Sequence, residues 1–193
     1  MVIESRGFEL DQFYFPPFDL KEGELLNLYV HSGGHFFDLE SKLVDIFSGK
    51  EKVPQVTIYQ PMHFVENFYE FRYRRFLLPV TVSGFLKKAA NPEQISRITS
   101  AGGFDIKPNT PLIALSNYER RLIALLAASS RSENLIFDLV GIDPVNAISF
   151  LERMKKMTAE GASAILINNF GDDNEKSYCD KNVEIEIKEV TSS

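Results

Sequence analysis

Apolar and polar positions along the chain fall into two periods, and their alternation outlines the fold. GELLNLYV (23–30) is a short apolar run after a Gly-containing turn and predicts a buried strand. HSGGHFF follows as a Gly-containing loop. In DLESKLVDIFSG, Leu39, Leu43, Ile46 and Phe47 recur at helical spacing, with Asp38 as N-cap and Gly49 as stop. PQVTIYQ (54–60) predicts another strand. The stretch 61–112 is aromatic at first and then holds short helical patterns in TVSGFLKKAA and PEQISRITSAGG, the latter opening on Pro92. Beyond it, a helix covers about 117–130, NLIFDLV (134–140) is a near-continuous apolar strand, and PVNAISFLERMKKMTAEG (144–161) is an amphipathic helix between Pro144 and Gly161. SAILINN (163–169) predicts a second buried strand, and VEIEIKEV (183–190) alternates as an edge or half-exposed strand does. Strands alternating with helices predict an α/β fold with a mainly parallel sheet flanked by helices. One domain over 1–193, with a small helical subdomain at approximately 61–130, accommodates the pattern.

Composition narrows the function classes. At 193 residues, 44% hydrophobic and 25% charged, the chain reads as a soluble globular domain able to bury a sizeable core. Its net charge of -6 argues against a nucleic-acid surface, which needs clustered cations. Arg72, Arg74 and Arg75 form one basic cluster, interleaved with aromatics in FYEFRYRRF, and read as an interaction face. Cys179 is the single cysteine, so disulfide frameworks and Cys-rich metal sites are excluded. His31, His35 and His63 show no metal-ligand spacing, and no metal is expected. The N-terminus lacks a secretion-signal pattern, and no apolar stretch approaches the ~20 residues of a membrane span. A cytoplasmic location is the expectation, with any membrane association supplied by a partner. Nucleophilic catalysis has no support, because Cys179 lies beside Asp180 with no nearby His to activate it.

From LSNYE (115–119) through LIFD (135–138), GIDP (141–144) and the following helix and strand, the chain resembles the second half of an ATP-binding cassette (ABC) ATPase domain. The family's order is a signature tetrapeptide opening a helix, a Walker B strand ending in Asp, a D-loop, a helix and a further strand. SYCDKNVEIEI is similar to the family's closing strand, and FDLKEGELLNLYV to its approach to the phosphate loop. The resemblance is strong after 112, moderate over 15–50 and poor between 60 and 112. It implies a P-loop NTPase-like sheet with a small helical subdomain.

The same resemblance shows what has been lost. The family's phosphate loop, G-x-x-x-x-G-K-[ST], cradles phosphates with backbone N–H groups and a lysine. Anchored on the downstream helix, Gly34 matches the first glycine, Leu39 stands at the second, Glu40 at the lysine and Ser41 at the hydroxyl. Anchored on the strand, Val30, His35, Phe36 and Phe37 take those places, and the lysine is absent either way. Asp138 survives at the end of the Walker B strand, but the adjacent catalytic glutamate is Leu139, which cannot accept a proton. Asn169 stands at the switch histidine, and Gln60 is a candidate Q-loop match. Leu115, Ser116 and Glu119 match the signature, whereas its glycines have become Asn117 and Tyr118. Gly141 and Asp143 remain of the D-loop. Ser116 with Glu119 is also an S-x-x-E capping box, useful in any helix.

These residues point to a degenerate ABC-type domain without ATPase activity and with no catalytic residue. It would need no cofactor and would act as structural or regulatory partner of an active ABC ATPase subunit, a membrane permease or both. A homo- or heterodimer is expected, with Asn117 and Asp143 near the contact. Two alternatives stay open: a working subunit that binds Mg-ATP through an atypical loop, and a free-standing binding module that reuses the fold.

Overall fold

The computed structural model describes residues 1–30, 35–66, 79–87, 106–169 and 173–188. Four three-residue strands open the chain: β1 (Ile3–Ser5), β2 (Phe8–Leu10), β3 (Phe13–Phe15) and β4 (Phe18–Leu20). Then come β5 (Leu25–Val30), α1 (Phe36–Phe47), β6 (Val56–Ile58) and β7 (His63–Phe64). A short helix α2 (Val82–Leu86) and a 3-10 turn at Leu112–Ala114 precede α3 (Asn117–Ser129). The chain continues through β8 (Asn134–Phe137), α4 (Pro144–Ala159), β9 (Ser163–Asn168), α5 (Asp173–Ser177) and β10 (Lys181–Ile187).

The main sheet runs β2-β3-β10-β5-β9-β8-β7, parallel from β10 to β7 and antiparallel at β2 and β3. A smaller antiparallel sheet, β4-β1-β6, sits beside it. The fold is therefore the α/β, mainly parallel arrangement that the pattern of elements predicts.

Strand alternation explains why the central strands read as nearly continuous apolar runs. Leu26, Leu28 and Val30 of β5 join Ile165 and Ile167 of β9 in one cluster with α1. Leu25, Ala164 and Leu166 belong to the opposite cluster, with α3 and α4. Both faces of the sheet are covered, so both sets of side chains are apolar. Phe137 of β8 meets Phe150 of α4 with ring centroids 5.4 Å apart. A third cluster joins α2 and the 3-10 turn to the outer side of α3, through Val82, Leu86, Leu112, Ile123 and Ala127. Helix α3 thus packs on two sides.

Local signals decide the boundaries. Ser116 caps α3 with a complete box: its hydroxyl accepts from Glu119 N–H at 3.2 Å, and Glu119 Oε2 accepts from Ser116 N–H at 2.8 Å. Asp143 caps α4 and Thr81 caps α2. Gly49, at φ +79°, turns the chain out of α1.

The structure refines the expected elements. Helix α1 begins at Phe36 with His35 as N-cap, so Asp38 lies inside its first turn. Phe36, buried in the core, extends the apolar face one turn toward the amino end, while Phe37 points outward and is 57% exposed. Of the two readings of the last alternating run, β10 is the half-exposed strand and not the edge, because it pairs with β5 on one side and β3 on the other. Its alternation instead reflects one buried and one exposed face, as at Ile185 and Glu184. The four N-terminal strands are too short for periodicity to announce. The helix expected at PEQISRITSAGG lies outside the described residues, as do Arg72, Arg74, Arg75 and His31.

Candidate functional site

The carboxyl ends of parallel strands are where α/β sheets gather chemistry, and here Asp138 directly follows β8. Its carboxylate is fully buried. Asp138 Oδ1 accepts from Arg121 Nη2 at 2.5 Å and from the Val140 N–H at 2.7 Å. Arg121 belongs to α3, where Leu122 and Leu125 pack toward the sheet beside it. Its guanidinium also donates to the carbonyls of Val65 at 3.3 Å and Val140 at 3.4 Å. One buried cation therefore joins α3, the end of β8 and the segment following β7.

Glu40 enters this cluster from α1. It sits on the helix's apolar stripe, between Leu39 and Leu43, and is only 8% exposed. Burial, then the nearby Asp138 carboxylate, pushes the Glu40 carboxyl up to about 8, while Arg121 pulls it down. The cluster sets two buried carboxyl groups against one guanidinium.

The remnants named from the sequence divide into groups. Glu40 and Asp138 are brought together, whereas Ser41, the next residue of α1, is exposed. Gly34 lies outside the described residues. Gln60 is held elsewhere: it donates to Glu22 at 2.7 Å and accepts from Asn134 Nδ2 at 2.9 Å. Asn134 starts β8 and Asp138 follows its end, so Gln60 lies at the opposite end of the strand. The segment after β7 instead joins the cluster through the Val65 carbonyl, which accepts from Arg121. Asn169 lines a cavity of about 300 Å³ with Val140, Gly141, Ile142, Asn168 and Glu175. Asn168 donates to Glu175 Oε2 there at 2.7 Å.

The signature and D-loop remnants meet within the chain. Asn117 Nδ2 donates to the Gly141 carbonyl at 3.0 Å, and Asn117 Oδ1 accepts from Arg120 at 2.7 Å. Gly141 adopts φ +78°, a conformation that favours glycine. Leu115 is buried in the α2 cluster and Tyr118 packs against the sheet cluster. Asp143 accepts from the Asn146 backbone at 3.1 Å and side chain at 2.6 Å, which holds its carboxyl below the usual range. Val145 next to it is 77% exposed.

Arg121 is the functional residue that sequence reasoning missed. Its signal was its place at helical spacing from Ala124, Leu125 and Ala128, which sets a charge on the apolar face, and such a charge needs a partner when buried. Among the described residues, no group of three or more His, Cys, Asp or Glu side chains could hold a metal ion. No described helix is long and apolar enough to cross a membrane.

No family model matches the chain, and no curated protein does. Solved structures do. A putative metal-chelate type ABC transporter in an inward-facing conformation aligns with TM-score 0.75 and 15% identity, over 97% of this chain and 83% of that one. The ATP-binding subunit of an ABC transporter aligns with TM-score 0.68 and 16% identity, over 96% and 86%. The cbiO1 protein from Clostridium perfringens, part of the cbiONQ ABC transporter complex, aligns with TM-score 0.67 and 15% identity, over 96% and 87%. At these identities the likeness is one of architecture, and the chain has the fold of an ABC-type ATPase domain.

Proposed function

We propose that this chain is an ABC-type domain that does not hydrolyse ATP and serves as a structural or regulatory subunit of an ABC transport complex. The observation that carries this reading is the state of Asp138. Its carboxylate is engaged by Arg121 and the Val140 N–H, and it faces the Glu40 carboxyl. Phosphate groups need clustered N–H donors and cations. A buried carboxyl from the helix that follows the loop supplies the opposite. Leu139 beside Asp138 cannot activate water, and Asn169 cannot exchange a proton near neutral pH.

The partner is an active ABC ATPase subunit, a membrane permease or both, on the inner face of the membrane. The exposed rim formed by Asn117, Asp143 and Val145 is the surface proposed to meet the ATPase subunit. A stable pair of ordinary size would bury on the order of 1,600 Å².

One experiment tests both parts. The chain is purified from its native host, co-purifying proteins are identified, and the isolated chain is titrated calorimetrically with Mg-ATP. A cassette subunit or permease should accompany it, and the isolated chain should release no binding heat. Recovery as a free monomer would overturn the partner and favour a free-standing binding module. Micromolar binding, with turnover abolished by Asp138→Asn, would establish a working ATPase instead.

A further inference from the structure

The donors around Asp138 can be counted. Arg121 Nη2 serves Asp138 Oδ1 and the Val140 carbonyl, Nη1 serves the Val65 carbonyl, and the Val140 N–H returns to Oδ1. Asp138 Oδ1 thus has two donors. Asp138 Oδ2 and Glu40 Oε1 are buried and have none among the described residues. Leaving a buried polar atom unpaired is costly, and leaving a buried ionised one unpaired costs more. With both carboxyls ionised, two negative charges would share one guanidinium, and the buried cluster would carry an uncompensated charge. One additional proton removes both defects, because a neutral Glu40 becomes an O–H donor.

We infer that Glu40 and Asp138 hold a single proton between them, and that this O–H···O bond is a clasp fastening α1 to the end of β8. In the helix-anchored of the two alignments, Glu40 stands at the place of the phosphate-loop lysine. Arg121 completes the clasp from the other side of the sheet by tying α3 to the same carboxylate. Glu40 is met by Asp138 from the end of β8 and by Arg121 from α3, and no other described charge contributes to its shift. The bond is charge-assisted, and its environment excludes water, so it is stronger than an exposed neutral pair.

The sign of the pH dependence follows. Glu40 titrates near 4.5 when unfolded and at about 8 in the fold. Between these values the folded chain keeps a proton that the unfolded chain releases, so stability falls as pH rises through that window. Above about 8 the cost is complete. The clasp is closed at neutral pH and opens under mildly alkaline conditions, releasing the amino half of α1. This deepens the reading above, on which it rests for its biological sense, because a closed clasp keeps the phosphate-binding position shut.

The test combines infrared spectroscopy with melting curves for the full chain and Glu40→Gln, which stays neutral and retains a donor. Ordinary carboxylates are ionised at neutral pH. A protonated-acid carbonyl band in the wild type, absent from Glu40→Gln, is the expected signature. The wild-type melting temperature should fall relative to the variant as pH rises from 4.5 to about 8. Absence of the band, or parallel melting curves for the two proteins, would overturn the clasp. Should Glu40→Gln fail to fold, the wild-type band alone decides, since it must fade near pH 8. Mg-ATP binding by a wild type that shows the band would overturn the proposed function and leave the clasp standing. A missing band with no Mg-ATP binding would do the reverse.

Discussion

The two ends of the parallel sheet both carry ion pairs, yet they are built on different principles. At the amino end, Lys181 donates to Asp19 at 2.8 Å and Glu24 at 2.9 Å, and Lys155 pairs with Asp180. Those side chains are 22–43% exposed. At the carboxyl end, Arg121 and Asp138 pair with side chains 1% and 0% exposed. Water screens the first set, holds its charges whether or not they meet, and makes each pair worth little. The second set has no such alternative. Its members were desolvated on folding, so each depends on the others being present. Charge at the amino end decorates the sheet, while charge at the carboxyl end is part of its interior.

The sharpest way to break this contrast is Arg121→Met. It strands the Asp138 carboxylate in the core and should cost about 3–5 kcal/mol, read as a lowered urea midpoint. A loss no larger than that of a surface mutant would show that water reaches the site. An intermediate effect is expected at the exposed side of the same end. Ser116→Ala removes the cap of α3 and should lower unfolding stability by about 1 kcal/mol, although it leaves the buried pair untouched. The smallest change belongs to the amino end. Lys181→Met should cost about 0.2–1 kcal/mol per pair lost, and the difference should shrink in high salt, measured as the change in midpoint with ionic strength.

Much of this architecture was legible in the residues. The runs that became β5, β8 and β9 are nearly continuous because both their faces are buried, and α3 and α4 declare themselves through Ser116, Asp143 and Pro144. What escaped were elements whose identity lies in pairing rather than in local pattern. β1 to β4 span three residues each, too few to show a period, and exist through partners such as Leu20 for Ile3. The site divides in the same way. Glu40 and Arg121 each interrupt an apolar stripe, so their burial could have been anticipated. That both converge on Asp138 depends on how α1 and α3 approach β8 from opposite faces. Gln60 shows the converse: its short-range context fits a motif, but the fold carries it to the other end of the strand.

The placement of β10 has a consequence for how the chain is made. β10 lies between β3 and β5, and the side chains of Asn27 and Asn182 that meet across the β5–β10 seam are 155 positions apart in sequence. Closing so long a loop is entropically slow. A nascent chain emerging from the ribosome therefore holds the β2–β3 hairpin on one side and β5, β9, β8 and β7 on the other, with the open edges of β3 and β5 unsealed. Those exposed hydrogen-bonding edges invite mispairing until synthesis passes Ile187. β10 is the keystone of the main sheet, and until it docks the facing edges of β3 and β5 stay open.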